Sequence, residues 1–344
     1  MKKLNNKELK EIIQSGNINL LVGSGSSLPY LPTLNKIEER MNDESEREKA
    51  QKDYYKIIRK SKSICDESLE TNTSEKKKLA TTKANYDDFI GFWSEAISKR
   101  SLSIVNKQIN LFTTNFDMFI EDACERLNVP YNDGFSGQIN AKFSVANFNK
   151  IQKYKSLQFD NTSDIPLINI IKLHGSVSWQ TKGNELIYSD GSHIGENLEA
   201  KSDDDFLKAY KEQLAIINPN AEKHFETVLD TSYAAMLRKF TLELEKENSV
   251  LFIVGCSLDD KHIRDLLYGV MRSNPTLVVV YFAFSSYDET ADKKEEAKNE
   301  NLYILAPETG SEQPFDKATS RMRSILFKDS EGISEVEAPK DGEE

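Results

Sequence analysis

Four stretches of the sequence end an apolar run with residues that bind ligands or transfer protons. Glycines let backbone N–H groups approach a phosphate, an amide can hold a hydroxyl or a water, and an imidazole can accept a proton near neutral pH. The four runs with the residues that follow them are Ile18–Val22 with Gly23-Ser24-Gly25-Ser26-Ser27, Ile109–Phe112 with Thr113-Thr114-Asn115-Phe116-Asp117, Ile168–Leu173 with His174-Gly175-Ser176, and Val250–Val254 with Gly255-Cys256-Ser257.

Each run has the length and apolar character of a strand buried on both faces. In open sheets of parallel strands, ligands bind outside the carboxyl ends of the strands. We therefore expect the four stretches to meet in one site. Taken singly, each has an ordinary explanation: the glycines as a strand-to-turn link, Asn115 as a turn residue, and His174 as a core histidine.

Composition narrows the class of protein. The chain has 344 residues, long enough for one large or two medium domains, and its net charge of −11 does not favour direct nucleic-acid binding. The three cysteines have no paired spacing, so we expect no zinc module, no disulfide framework and a cytoplasmic location. We find neither a signal-peptide core nor an apolar run that could span a bilayer, so we expect no membrane association.

The rest of the chain alternates helical and strand patterns, which predicts an α/β fold. Residues 34–100 are rich in charged residues at helical spacing and predict a helical insertion, with an exposed loop at Glu70–Lys78. Further expected elements are a long helix at Lys223–Lys246 and strands at Glu185–Tyr188, Leu277–Phe284 and Leu302–Leu305. We expect one domain over residues 1–330 and an acidic, disordered tail over 331–344.

The remaining histidines have simpler explanations. His193 lies in a loop of glycine and serine, and His224 lies at a helix start. His262 follows Asp259 and Asp260, which we interpret as caps of a helix that begins there.

In this order the four stretches resemble the motifs of the sirtuin family. The glycine loop is similar to Gly-Ala-Gly-x-Ser, and Thr113–Asp117 is similar to Thr-Gln-Asn-Ile-Asp. Leu173-His174-Gly175 is similar to Leu-His-Gly, and Gly255-Cys256-Ser257-Leu258 to Gly-Thr-Ser-Leu. The resemblance implies a Rossmann-like parallel sheet flanked by helices, with NAD+ as its ligand.

Two features of sirtuin deacetylases are missing. Trp179–Ile194 has no cysteine for their zinc ribbon, and Leu28-Pro29-Tyr30-Leu31-Pro32 replaces their Gly-Ile-Pro-Asp-Phe-Arg, which weakens the case for acyl-lysine chemistry. The pattern resembles more closely a zinc-free bacterial branch found in anti-phage defence operons. That branch shares the helical insertion and the run Gly-x-Ser-x-x-Asp-x-x-Ile, here Gly255 to Ile263.

This resemblance implies an NAD+ hydrolase that takes NAD+ as substrate, uses no metal and depletes NAD+ in an abortive antiviral response. Asn115 would position the attacking water and a ribose hydroxyl, and His174 would accept a proton. The residues expected to bind NAD+ are Gly23, Ser24, Gly25, Ser26, Ser27, Thr114, Asp117, Gly255, Cys256 and Ser257. The resemblance also implies a homo-oligomer and an operon partner such as a HerA-type ATPase.

Three other functions stay open at this point. One is a non-catalytic subunit that binds NAD or ADP-ribose and regulates a partner. Another is a scaffold for a partner ATPase that uses the helical insertion as its contact. The last is a mono-ADP-ribosyltransferase. Binding without product, or transfer of label to protein, would distinguish them from a hydrolase.

Overall fold

The computed structural model describes residues 6–100, 106–157, 161–183, 185–191, 194, 202, 205–206, 214–217, 231–286 and 301–327. His193, His224 and the acidic tail lie outside these residues. Within the described part of the chain, no helix combines the length and the apolar character needed to cross a lipid bilayer.

The described strands alternate with helices along the chain. The strands are β1 (Asn17–Val22), β2 (Gln108–Thr113), β3 (Tyr131–Asn132), β4 (Phe135–Ser136), β5 (Lys142–Phe143), β6 (Lys153–Lys155), β7 (Thr162–Asp164), β8 (Leu167–Lys172), β9 (Trp179–Lys182), β10 (Glu185–Tyr188), β11 (Ser249–Val254), β12 (Val278–Phe282) and β13 (Leu302–Leu305). The helices are α1 (Asn6–Ser15), α2 (Asn35–Asn42), α3 (Arg47–Ser61), α4 (Thr73–Ser98), α5 (Phe119–Arg126), α6 (Thr231–Leu244), α7 (Lys261–Ser273) and α8 (Phe315–Phe327).

A seven-stranded sheet in the order β13-β12-β11-β1-β2-β8-β3 forms the centre of the fold. All its strand pairs are parallel, so the predicted α/β class with a Rossmann-like parallel sheet flanked by helices is confirmed. The chain continues from β1 to β2 on one side and returns through β11 on the other. β1 and β11 therefore flank the point where the strand order reverses, which is where sheets of this kind bind ligands.

The two faces of the sheet pack against different helices because side chains alternate along each strand. Leu20 of β1 belongs to a core that includes Trp93 of α4, and the Trp93 ring lies 5.1 Å from that of Phe252 in β11. Leu21 belongs to the opposite core, with Phe240 of α6. Burying a side chain of this size contributes roughly 1.5–3 kcal/mol, so the two apolar layers hold the strand ends in place.

A row of asparagines crosses four neighbouring strands at the same level. Asn19 of β1 is in register with Asn110 of β2, Asn110 with Asn169 of β8, and Asn169 with Asn132 of β3. Asn110 Nδ2 donates to Asn19 Oδ1 at 3.0 Å, and Asn169 Nδ2 donates to Asn110 Oδ1 at 3.0 Å. Asn132 Nδ2 donates to Asn169 Oδ1 at 3.2 Å. The amides therefore satisfy one another inside the sheet, where an unpaired amide would be costly.

Glu243 of α6 covers this row. Its carboxylate accepts a hydrogen bond from Asn110 Nδ2 at 3.1 Å and pairs with Lys239 at 2.7 Å and Lys246 at 2.5 Å. Burial raises the pKa of Glu243, but the hydrogen bonds from the two lysines outweigh it, so the pKa lies below its ordinary value. The carboxylate is therefore charged at neutral pH.

One predicted element differs from the structure. The expected loop at Glu70–Lys78 is wrong from Thr73 onwards, because α4 begins there. The Asn72 side chain accepts hydrogen bonds from the backbone N–H groups of Ser74 at 2.9 Å and Glu75 at 3.3 Å, which caps the helix. The cap lets the polar first turns of α4 stay helical.

Candidate functional site

The four stretches meet at the carboxyl ends of β1, β2, β8 and β11, around one cleft. The cleft holds about 970 Å³ of space between atoms, part of it open to solvent. It is lined by Gly23, Ser24, Ser27, Leu31, Pro32, Leu34, Asn35, Glu38, Tyr54, Thr114, Asn115, Phe116, Asp117, His174, Ile217, Cys256, Ser257, Leu258, Asp259, Asp260 and Ile263. Among the expected NAD+-binding residues, Gly25, Ser26 and Gly255 are not in this lining.

Glycines let the loops after β1 and β11 pack directly on each other. A Cβ atom on Gly23 would lie 2.7 Å from the Cα atom of Cys256, and one on Gly255 would lie 2.7 Å from the Ser26 nitrogen. Gly255 also has a φ of 61°, which disfavours other residues. The Gly25 N–H donates to the Gly255 carbonyl at 2.8 Å, so this donor holds the two loops together.

A buried cluster of hydroxyls fixes the short 3₁₀ helix Ser24–Ser27 beneath the cleft. Ser26 Oγ donates to the Gly23 carbonyl at 2.7 Å and lies 2.6 Å from the hydroxyl of Tyr86 on α4. Ser27 Oγ donates to Asp117 Oδ2 at 2.7 Å. Burial raises the pKa of Tyr86, and the charge of Asp117 raises it further, so its hydroxyl stays protonated. Tyr86 links α4 to the candidate site.

Asn115 follows β2, and of its two side-chain amide atoms only the nitrogen has hydrogen-bond partners among the described residues. Its Nδ2 lies 3.1 Å from the Gly23 carbonyl and 3.1 Å from Ser26 Oγ, which orients the amide. Its Oδ1 is buried and has no hydrogen-bond partner among the described residues. A buried acceptor left without a donor costs roughly 1–3 kcal/mol, so a hydroxyl or a water that reached Oδ1 from the cleft would be stabilised by donating to it.

A buried ion pair supports the turn after Asn115. Lys172, the last residue of β8, donates to the backbone carbonyl of Asp117 and pairs with Glu121 at 3.1 Å. Burial raises the pKa of the Asp117 carboxyl, although the charge of Lys172 and the hydrogen bond from Ser27 act to lower it. Burial also raises the pKa of Glu121. Lys172 therefore connects the stretch before His174 to the Asn115 turn.

His174 faces a second histidine that the sequence had not assigned to the site. His174 Nε2 lies 3.1 Å from His262 Nε2 and 3.4 Å from Asp260 Oδ2, and His262 Nδ1 lies 2.5 Å from Asp260 Oδ1. The expected capping role of Asp260 is wrong in its detail. Asp260 precedes α7, but its side chain makes no capping hydrogen bond and contacts the imidazole of His262 instead.

The same three side chains could hold a metal ion. Their ligand atoms lie within 4.8 Å of one another, and imidazole with carboxylate is a donor set that suits zinc and other transition metals. The expectation that the reaction uses no metal stays a prediction.

The cleft is acidic. Among the described residues that line it are the carboxylates of Glu38, Asp117, Asp259 and Asp260, and no lysine or arginine. Such a wall favours a ligand that carries or develops positive charge. A diphosphate there would have to be held by backbone N–H groups and hydroxyls.

Sequence reasoning missed four residues around the cleft, namely Tyr86, Lys172, Asp260 and His262. Tyr86 was not singled out within the expected helical insertion, and Lys172 stood inside a run expected to be buried. A charged residue within such a run is the one signal that could have indicated a buried partner. The contact between His262 and His174 joins positions 88 residues apart, so no local pattern indicates it.

Comparison with known proteins identifies a family to which the chain is similar. A family model described as a SIR2-like domain matches residues 109–305 of the 344. The match includes Asn115, His174 and the loop after β11, and it begins after β1 and the glycine loop. No curated protein matches the sequence. Since the match covers more than half of the chain and the parallel sheet agrees with it, the protein belongs to the family of SIR2-like domains.

Proposed function

We propose that the protein hydrolyses NAD+ at the bond between nicotinamide and ribose, releasing nicotinamide and ADP-ribose. SIR2-like domains bind NAD+, and the family is often enzymatic. One observation carries the proposal: Asn115, whose buried Oδ1 has no hydrogen-bond partner among the described residues, and His174 line one acidic cleft where the strand order of the sheet reverses.

The acidic wall suits this bond. Nicotinamide leaves with the electron pair of the glycosidic bond, which neutralises its pyridinium ring and leaves positive charge on the ribose. The carboxylates of Asp117, Asp259 and Asp260 lie around the cleft and favour that charge. Water then bonds to the ribose carbon that nicotinamide left.

Asn115 and His174 take the two roles that water attack needs. The free Oδ1 of Asn115 accepts a hydrogen bond from the water or a ribose hydroxyl and so orients it. His174 takes up the proton that the water or the hydroxyl releases. Asn115 Nδ2 contacts the Gly23 carbonyl and Ser26 Oγ, and His174 Nε2 contacts His262 Nε2. These contacts set the positions of both side chains before the substrate enters.

The expected binding residues divide into two groups. Gly23, Ser24, Ser27, Thr114, Asp117, Cys256 and Ser257 line the cleft and would contact NAD+. Gly25, Ser26 and Gly255 hold the two loops against each other and would act by shaping the cleft.

The wider biological role follows from the sequence resemblance. We propose that residues 1–330 act as one catalytic domain with 34–100 as a helical insertion. The chain would assemble into a homo-oligomer in the cytoplasm, with or without an ATPase partner, and deplete NAD+ during phage infection. The bonds from Tyr86 to Ser26 and Asn115 support the first part of this proposal, because they join the helical insertion to the site within one domain.

The test is to incubate the purified protein with NAD+ and to quantify nicotinamide and ADP-ribose by chromatography and mass spectrometry. The assay is run with the protein alone and with its operon partner. We expect both products in equal amounts, and a loss of about 100-fold or more in turnover for Asn115→Ala and for His174→Ala.

Asn161→Ala serves as a matched control, because Asn161 is an exposed asparagine in the β6–β7 hairpin. Unchanged turnover in Asn115→Ala and His174→Ala would contradict the proposal. Binding of NAD+ without product would favour a regulatory subunit, and transfer of labelled ADP-ribose to protein would favour a transferase.

A further inference from the structure

A second cavity lies at the amino ends of the strands, on the opposite edge of the sheet from the cleft. Asn17 and Gln108, the first residues of β1 and β2, are part of its lining. The second cavity holds about 640 Å³ of space between atoms, part of it open to solvent, which is within the range of small-molecule sites. None of its lining residues lines the cleft.

Hydrogen bonds join the segments that form the wall of the second cavity. The Glu243 carboxylate joins α6 to the asparagine row of the sheet. Lys239 of α6 donates to Asn149 Oδ1 at 2.8 Å, and Gln108 Nε2 donates to the Lys150 carbonyl at 3.0 Å. The sheet, α6 and the segment around Asn149 therefore hold one another in place. Because the wall is already ordered, a ligand does not have to order it on binding.

The lining of the second cavity has a net positive charge, although the chain as a whole is acidic. Lys239 and Lys246 pair with the two oxygens of one carboxylate, that of Glu243. Among the described residues no other charged side chain is in the lining, so two ammonium groups are balanced by one carboxylate. The contacts with Glu243 and Asn149 use two of the three N–H donors of Lys239 and one of the three of Lys246. Charge and donors therefore remain for an anion.

Side-chain amides make up half of the lining. Six of its twelve residues are asparagine or glutamine. An amide both donates and accepts hydrogen bonds, as a sugar hydroxyl does, so this composition suits a ligand rich in hydroxyls. The buried ring of Phe148 and two isoleucines add apolar surface, against which the C–H groups of a sugar can pack. Amides, apolar surface and ammonium groups together match the chemistry of a phosphorylated sugar.

We propose that the second cavity binds a small sugar phosphate, with its phosphate at Lys239 and Lys246 and its hydroxyls at the amides. Ammonium groups donate charge-assisted hydrogen bonds to phosphate oxygens, which are stronger than hydrogen bonds between neutral groups. The site goes beyond the proposed NAD+ hydrolysis and does not depend on it, because the two cavities share no lining residue.

Isothermal titration calorimetry of the full chain tests the site with ribose 5-phosphate, glucose 6-phosphate and inorganic phosphate. Low ionic strength keeps the charges unscreened. We expect at least one sugar phosphate to bind with a Kd of about 1 mM or below, and about 10-fold more tightly than inorganic phosphate, because only the sugar reaches the amides. The proposal is overturned if neither sugar phosphate binds, or if inorganic phosphate binds as tightly.

Asn149→Asp cancels the extra positive charge with almost no change in side-chain shape. Since Lys239 already donates to Asn149 Oδ1, the new carboxylate would pair with it and the fold should persist. We expect the Kd of the sugar phosphate to rise by about 10-fold or more. Asn161→Asp is the control, because Asn161 is exposed in the β6–β7 hairpin and outside the lining. Equal weakening by both substitutions would contradict the proposal, because it would reflect the charge of the whole chain.

Lys246→Met and Lys142→Met form a second matched pair. The Lys246 side chain is 51% exposed and pairs with Glu243, and the Lys142 side chain is 57% exposed and pairs with Glu185 outside the second cavity. We expect Lys246→Met to raise the Kd by about 10-fold or more and Lys142→Met to change it by less than about twofold. Urea unfolding without ligand checks that both variants are folded.

A sugar phosphate that binds Lys246→Met as tightly as the unsubstituted protein would overturn the proposal, because it would then occupy another place. NAD+ turnover is measured separately on the same preparations. If the sugar phosphate binds as expected but no NAD+ is cleaved, the proposed hydrolysis fails and the second site stands.

Discussion

The hydroxyl of Tyr86 lies 3.3 Å from the side-chain nitrogen of Asn115, although the two residues belong to different layers of the fold. Tyr86 belongs to α4, which packs on one face of the sheet, and Asn115 follows β2 at the edge of the cleft. The same hydroxyl lies 2.6 Å from Ser26 and 3.1 Å from Ser27. One phenol thus connects the helices between β1 and β2 to two of the four stretches that carry candidate site residues, the glycine loop and the turn with Asn115.

Removing this hydroxyl should lower activity without unfolding the protein. In Tyr86→Phe the ring can keep its stacking on Phe119, whose centroid lies 5.1 Å away, but Ser26, Ser27 and Asn115 lose a shared partner. We expect kcat for NAD+ cleavage to fall by about 10-fold and the free energy of unfolding to fall by about 1–2 kcal/mol. Product release from NAD+ and urea unfolding measure the two effects.

Tyr281→Phe is the control for this substitution, because Tyr281 is a buried tyrosine in β12 outside the cleft lining. Full activity in Tyr86→Phe would show that the hydroxyl does not orient Asn115.

The loop contact between Gly255 and Ser26 should tolerate no side chain. Gly255→Ala places a Cβ atom 2.7 Å from the Ser26 nitrogen at a φ of 61°, so we expect a loss of about 2–4 kcal/mol in the free energy of unfolding. Gly269→Ala is the opposite case. Gly269 lies within α7 with no atom within 4 Å of an added Cβ, so the substitution should stabilise by about 0.5–1 kcal/mol. Equal effects of the two substitutions on urea unfolding would contradict the loop geometry.

The buried pair of Lys172 and Glu121 should behave as one unit. Lys172→Met leaves the Glu121 carboxylate buried without its cation, which costs about 3–5 kcal/mol. Glu121→Gln likewise leaves the Lys172 ammonium buried without the carboxylate that pairs with it. The double substitution removes both charges, so its loss should be smaller than the sum of the single losses by at least about 1 kcal/mol. Urea unfolding of the four proteins gives this difference, and strictly additive losses would show that the pair is not coupled.

Acid should weaken the protein partly through Glu243. Since the pKa of Glu243 is lower in the folded chain than its ordinary value of 4.5, ionisation of this group stabilises the fold above that value. The stabilisation is lost as the pH falls through the lowered pKa. Glu243→Gln lacks this contribution, so we expect it to be less stable near pH 7, and we expect the difference to shrink as the pH falls below 4.5.

Urea unfolding at a series of pH values measures the difference between the two proteins. A difference that stays constant from pH 7 to pH 3 would mean that the lysine pairs do not lower this pKa.

Much of the sheet could be predicted because its strands are short apolar runs bounded by turn residues. The bounds of β10 and β13 agree with the expected strands at Glu185–Tyr188 and Leu302–Leu305. The meeting of four strand ends followed from the parallel arrangement alone. The start of α4 also had a signal that was passed over, since Asn72 followed by Glu75 is the pattern of a helix N-terminus.

The contacts across the fold could not be predicted in this way. His262 is in a helix, as expected, but its contact with His174 depends on how α7 docks beside β8. Lys172 pairs with Glu121 because β8 and α5 lie together, and neither residue marks its partner in the sequence. Such contacts depend on packing between distant segments, which local residue patterns do not encode.

The asparagine row has a consequence for the geometry at the cleft. Asn19, Asn110 and Asn169 each stand three residues before the end of their strand, and those ends are paired with each other in the sheet. A slip of one strand by a single residue would turn its asparagine into an apolar layer and break one amide contact for β1, or two for β2 or β8. The row therefore fixes the register of β1, β2 and β8 below the cleft. This register places the glycine loop, Asn115 and His174 at the same edge of the sheet.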